Sequence, residues 1–226
     1  MVALPEELKH LKEKKNPLPS FNLIYAKLGF YFTVGTIMSF NILGLKRVSA
    51  ALMAVMSVIT AGMEMSNTYR QVVLARILFR NFACAGAYIM VAGGLGKGKY
   101  KAELSQRLLK LGRQIIGAYL VLLALLLLNN KKEFALHAYL LPGGAYCAWV
   151  LIIFYFVCGI AMDYGLAVVD VCKAVMIVLF IVTLTVDVDT GIWNIHGKIK
   201  PWKAYTIAGY HIPVISTLML MRPDYF

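Results

Sequence analysis

The sequence predicts an all-α fold: a polytopic transmembrane bundle of about seven helices running up and down, behind a short amphipathic N-terminal helix. Three observations carry this. Of 226 residues, 60% are hydrophobic and 15% charged, against about 45–50% and about 25% in soluble globular chains. Mean hydropathy is +0.71. Seven runs approach the roughly 20 apolar residues that a membrane-spanning helix needs, and the links between them are short enough to force antiparallel neighbours. This composition excludes a disordered chain, a nucleic-acid-binding domain and an ordinary cytosolic enzyme, and it leaves no room for a soluble domain.

In chain order, residues 1–20 read as a surface helix. Pro5 followed by Glu6 and Glu7 suits a helix start. Leu8 and Leu11 give it an apolar side, and Pro17 and Pro19 end it. The segment lacks the continuous apolar core and cleavage site of a secretory signal, so an uncleaved start is expected. The spans follow as residues 21–44, 48–66, 78–95, 115–128, 139–162, 166–186 and 204–221. Leu45-Lys46-Arg47 links the first two, and Asp163-Tyr164-Gly165 links the fifth and sixth. Leu108, Leu109 and Leu111 extend the short fourth span backwards, and Arg76 and Arg80 mark the start of the third. A basic Gly/Lys loop, residues 96–106, separates a front part of three helices (21–95) from a rear part of four (107–226).

The formal net charge is +12. With seven spans, ten basic residues fall on one face, among them Lys198, Lys200 and Lys203. Nine fall on the other, among them Lys46, Arg47, Lys97, Lys99, Lys101 and Arg113. The positive-inside rule therefore assigns no orientation. The residues named here from both faces, Lys198, Lys200, Lys203, Lys46, Arg47, Lys97, Lys99, Lys101 and Arg113, are the candidate contacts to anionic headgroups, where each cation is worth about 1 kcal/mol. Structural phospholipid such as cardiolipin, together with other membrane subunits, is the expected company of such a chain; nucleic acid is not.

Catalytic and metal chemistry finds little support. Cys84, Cys147, Cys158 and Cys172 lie inside spans without a C-x-x-C pair. His10, His137, His196 and His211 show no i, i+4 pair, which leaves no metal or cofactor set. Gly93 to Lys99 satisfies G-x-x-x-x-G-K, but Tyr100 stands where a phosphate loop needs Ser or Thr. Asp187 and Asp189, in an expected loop, are two carboxylates without further oxygen ligands. The informative ions are those inside spans, since a charge in lipid is costly and faces a partner: Lys27, Glu64, Arg80, Asp170 and Lys173. Asp170 and Lys173, three apart, share a face and are expected to pair. Lys27 and Glu64 lie near the ends of adjacent helices and are expected to meet. His211, the histidine within a span, reads as a packed or interfacial residue.

The rear part echoes the front: Phe82–Tyr88 lines up with Tyr205–His211 at a shift of 123. Together with Gly44-Leu45-Lys46-Arg47, Leu78-Phe79-Arg80-Asn81-Phe82-Ala83, Lys110-Leu111-Gly112-Arg113 and Trp193, this resembles the DoxX-like superfamily, in its surfeit-locus-type cargo-receptor branch. The resemblance implies two DoxX-like copies, the front one lacking its first helix, and no catalytic motif. The C-terminus carries no dilysine retrieval signal of the kind those receptors use. The expected function is a non-catalytic accessory subunit of a larger membrane complex, of respiratory or ATP-synthase type in the mitochondrial inner membrane. The alternatives are the endomembrane cargo receptor that the resemblance implies and a small transporter built around Asp170, Lys173 and His211.

Overall fold

A computed structural model describes residues 21–40, 45–65, 71–95, 105–187 and 208–221. The expected N-terminal surface helix lies outside the described residues. The chain forms two compact units, Met1–Ser49 and Ala50–Phe226. The first contains α1 (Phe21–Phe40), whose Thr36 hydroxyl donates to the Phe32 carbonyl at 2.8 Å. The helix α2 (Lys46–Met65) begins in the first unit and continues in the second.

The second unit adds α3 (Gln71–Ala92), α4 (Gln106–Asn129), α5 (Lys131–Leu140), α6 (Gly144–Tyr164), α7 (Val168–Val182) and α8 (His211–Met219). Five stretches are long and apolar enough to cross a membrane: Lys46–Met63, Leu74–Ala92, Gln106–Asn129, Gly144–Tyr164 and Val168–Asp187. The 24 residues of α4, at about 1.5 Å each, reach about 36 Å, more than the roughly 30 Å hydrocarbon core. The described residues are thus those of a helical, multi-pass membrane bundle.

Two boundaries differ from the sequence expectation. The helix of the third span starts at Gln71, and its membrane-crossing stretch at Leu74 rather than Leu78, because Arg76 and Arg80 point inward to acidic partners and so do not end it. The fifth expected span, 139–162, divides. Leu141 is extended (φ −82°, ψ 136°), the conformation favoured before proline. Pro142 follows it, and Gly143 and Gly144 take positive φ. The helix restarts at Gly144, leaving α5 as a separate ten-residue helix too short to cross. Asn130 makes the break at the other end of α5. It leaves α4 in an extended conformation, and its side-chain oxygen accepts from the Lys132 and Glu133 amides at 3.1 and 3.3 Å, an N-cap for the new helix.

The expected tight link after α6 is present. The Gly165 amide donates to the Met162 carbonyl and the Leu166 amide to the Ala161 carbonyl, with Gly165 at φ 78°. This left-handed turn closes a helix and reverses the chain. Neighbours pack antiparallel through small residues. A Cβ on Gly112 would lie 2.6 Å from the Gly86 carbonyl oxygen, and one on Gly159 would lie 2.7 Å from that of Gly117. Glycine at these crossings lets α4 touch the backbones of both α3 and α6, the usual device where helices gain nothing by excluding lipid. Tyr119, Tyr155, Ile116, Met162 and Leu179 fill the interior. Val150, Ile153, Val157, Ile177, Phe180 and Ile181 face outward, as a lipid-facing surface requires.

Replacing Gly112 or Gly159 with Val is expected to cost about 1–3 kcal/mol by overpacking, read as a lower melting temperature in detergent. Gly62→Ala, where nothing lies within 4 Å, serves as the control and leaves it unchanged or slightly higher.

Candidate functional site

The end of the second unit where α3 begins, α4 ends and α7 ends holds a buried ionic cluster. Arg76 and Arg80 stand one turn apart on α3 and so share a face, each 3% exposed. Opposite them, α7 changes from an α-helix into a single π-helical turn, Thr183–Asp187, a distortion frequent at functional sites. Asp187 closes that turn and is buried. Its Oδ1 accepts from Arg80 at 2.6 Å and from Arg76 at 3.1 Å. Arg76 gives its other terminal nitrogen to the carboxylate of Glu133, which α5 carries to it.

A second row of hydrogen bonds runs from α8 to α4. The Thr183 hydroxyl donates to the Leu179 carbonyl at 2.6 Å, which spends its one proton. Its contact with His211 Nδ1, also 2.6 Å, must therefore be donated by the imidazole. The same Nδ1 lies 3.3 Å from Asp187 Oδ2. With Nδ1 protonated, Nε2 accepts from the buried Tyr119 hydroxyl at 2.6 Å. His211 is thus held as one neutral tautomer between a phenol and a carboxylate, and it leaves the charge of the cluster to the other groups. Among the described residues, two guanidinium groups face two carboxylates.

Beside the cluster lies a cavity of about 20 Å³, room for one water molecule. Arg76, Arg80, Glu133, His137, Tyr155 and His211 line its polar side, and Leu123, Leu126, Leu127 and Val182 its apolar side. His137, on α5, donates through Nδ1 to the Glu133 carbonyl at 2.9 Å. Burial, reinforced by the nearby Arg76 charge, lowers its pKa to about 4. Among the described residues, no three His, Cys, Asp or Glu side chains form a group that could hold a metal ion.

The residues marked in the sequence are distributed unevenly over this arrangement. Arg80 is central to the cluster. Asp170 and Lys173 are not joined: both are exposed on α7, and neither has an ion-pair partner among the described residues. Asp170 lies in the first turn of its helix, where the positive helix end suits a carboxylate and no cation has to be brought to it. Asp187 belongs to a membrane helix rather than a loop, and His211 is a network member rather than a packed bystander. The side chains of Lys27 and Glu64 lie outside the described residues, as do Lys97, Lys99, Lys101, Lys198, Lys200 and Lys203. Lys46 and Arg47 open α2, both partly exposed. Arg113 is half-buried beside the Gly165 turn, in a groove with Lys110, Gln114, Asp163 and Tyr164.

Sequence reasoning missed Glu133, Tyr119 and Thr183, and took Arg76 only as the mark of a span's start. For Glu133 the signal was the pattern Asn130-x-x-Glu133, a helix start with an acid in the first turn, inside what reads as a loop between spans.

A family model described as the TMEM101 protein family matches residues 3–224. The chain belongs to the TMEM101 protein family. This overturns the DoxX-like reading and the two DoxX-like copies with it. Tight glycine turns flanked by basic residues, and small-residue helix contacts, arise in helical membrane bundles generally, so the stretches that carried that resemblance are not specific to one family. No solved structure matches this member of the TMEM101 family.

Removing one partner of a buried ion pair strands the other. Asp187→Asn should therefore destabilise the bundle by about 3–5 kcal/mol, while Asp170→Asn changes it by less than about 0.5 kcal/mol; thermal unfolding in detergent measures both. The His137 effect has a definite sign. The unfolded chain takes up the proton near pH 6.5 and the folded chain only near 4, so stability falls as pH drops through that window and levels below it. His137→Gln should flatten the difference, read as melting temperature against pH.

Proposed function

We propose that this TMEM101 family member is a non-catalytic accessory subunit of a larger membrane assembly. The observation that carries the reading is the buried ionic cluster. Among the described residues, two arginines and two carboxylates, from α3, α5 and the π turn, meet beside a cavity of about 20 Å³, an arrangement suited to locking helix ends in one geometry. The lipid-facing or partner-facing surface of α6 and α7 is apolar and broad. In this reading α1 and the apolar run 204–221, of which α8 is the described part, complete seven spans. The membrane is the mitochondrial inner membrane, where cardiolipin would meet the basic residues that the sequence spreads over both faces.

A small transporter is the second reading, and the buried cluster favours it in a form different from the sequence expectation. Its polar centre would be Arg76, Arg80, Glu133, Asp187 and His211 rather than Asp170 and Lys173. The cargo-receptor alternative rested on the DoxX-like resemblance and falls with it.

Solubilisation in mild detergent followed by native electrophoresis tests the subunit reading. The chain is expected to migrate with other membrane proteins, well above its own 25.1 kDa plus a micelle. Migration alone as a stable monomer would contradict it, and fractionation that places the chain outside mitochondria would contradict the assigned membrane.

A further inference from the structure

The cluster is supplied by elements of two kinds. Arg76, Arg80 and Asp187 stand on helices long enough to cross the membrane. Glu133 comes from α5, a ten-residue helix that does not cross. That helix is bounded by Asn130, where the chain leaves α4, and by Leu141 to Gly144, where two glycines take positive φ. Its inner face is Glu133, Leu136 and His137, all buried; its outer face, with Lys131, Lys132 and Tyr139, is exposed. One carboxylate on a short outer helix therefore reaches past the cavity to a guanidinium fixed in the spans. Beyond its Cα, a glutamate side chain is chemically a propionate.

We propose that the cavity beneath α5 is a binding site for a small monocarboxylate, and that Glu133 is its built-in occupant. The ligand carboxylate takes the place of Glu133 on Arg76, its short apolar part lies on Leu123, Leu127 and Val182, and α5 moves outward. The geometry selects the class. The guanidinium already holds a carboxylate, whose planar pair of oxygens matches its donors. One displaced negative charge is replaced by one, whereas a dianion would bring excess negative charge beside Asp187. The space vacated by Glu133, added to about 20 Å³ of cavity, sets a size near propionate or butyrate. The apolar wall favours an alkyl acid over a hydrated inorganic ion. The site goes beyond the subunit reading and does not depend on it: a chain in an assembly can hold such a ligand, and so can a chain that works alone.

The test uses the full chain in detergent with sodium propionate, and with propionamide and sodium chloride as the neutral and ionic controls. Glu133→Ala removes the charge and vacates the space of the side chain, so it is expected to melt below the wild type. Propionate is expected to restore at least half of that loss, and the controls none of it. The double variant Arg76→Gln/Glu133→Ala should not respond to propionate. A Glu133→Ala protein indifferent to propionate, equally rescued by chloride, or rescued just as well without Arg76 would overturn the proposal. Should Glu133→Ala fail to fold, hydrogen exchange of the wild type decides. Propionate, and not propionamide or chloride, is expected to speed exchange at amides 131–140, and unchanged exchange would overturn the proposal. The mass of the native particle plays no part in either readout, so failure here is distinct from failure of the subunit reading.

Discussion

The structure of the second unit depends on one requirement: two guanidinium groups placed inside a membrane bundle must be met by carboxylates. An unpaired charge in that setting costs several kcal/mol, and the neighbouring elements are bent to prevent it. The end of α7 widens into a π turn that sets Asp187 between Arg76 and Arg80. Asn130 breaks α4 from α5 so that Glu133 turns inward to Arg76. The same demand orders the neutral groups: His211 stays uncharged between Tyr119 and Thr183, adding no third cation to the pair.

The convergence also needs the helices close. Gly86, Gly112, Gly117 and Gly159 bring α4 against the backbones of α3 and α6, and the Gly165 turn returns the chain along α7 to the depth of the arginines. These contacts are backbone-level and apolar, while the cluster at the end is polar and directional. The glycine crossings bring the helices close, and the ions set which turns face one another. With the outward face apolar, the buried ionic side chains Arg76, Arg80, Glu133 and Asp187 are gathered toward one end.

Much of this was legible in the sequence, and the gaps have physical causes. Apolar runs and short links gave the membrane bundle because lipid demands length and hydropathy above all. Arg80 was singled out because a cation in an apolar run is costly. Its partner was not, because ion pairs between distant segments leave no periodic trace; Asp170 and Lys173, adjacent on one helix, offered a nearer but false pairing. Asp187 read as a loop residue because it closes the last apolar turn, where a π turn and the start of a loop look alike. Glu133 lay hidden between Lys131, Lys132 and a proline-glycine segment that together resemble a connection. Two segments such as residues 110–113 and 44–47 suggested a family on features that many membrane bundles share, and the match to the TMEM101 family over residues 3–224 corrects it.

Mutual neutralisation is a property of pairs rather than of single residues. A double-mutant cycle on Arg80→Gln and Asp187→Asn, followed by thermal unfolding in detergent, addresses it most directly. Each single change leaves the cluster with an unbalanced charge, whereas the double change leaves Arg76 paired with Glu133. The double variant should therefore be more stable than either single variant, with a coupling energy above about 1 kcal/mol. Additive losses, with the double variant the least stable of the three, would contradict mutual neutralisation of Arg80 and Asp187.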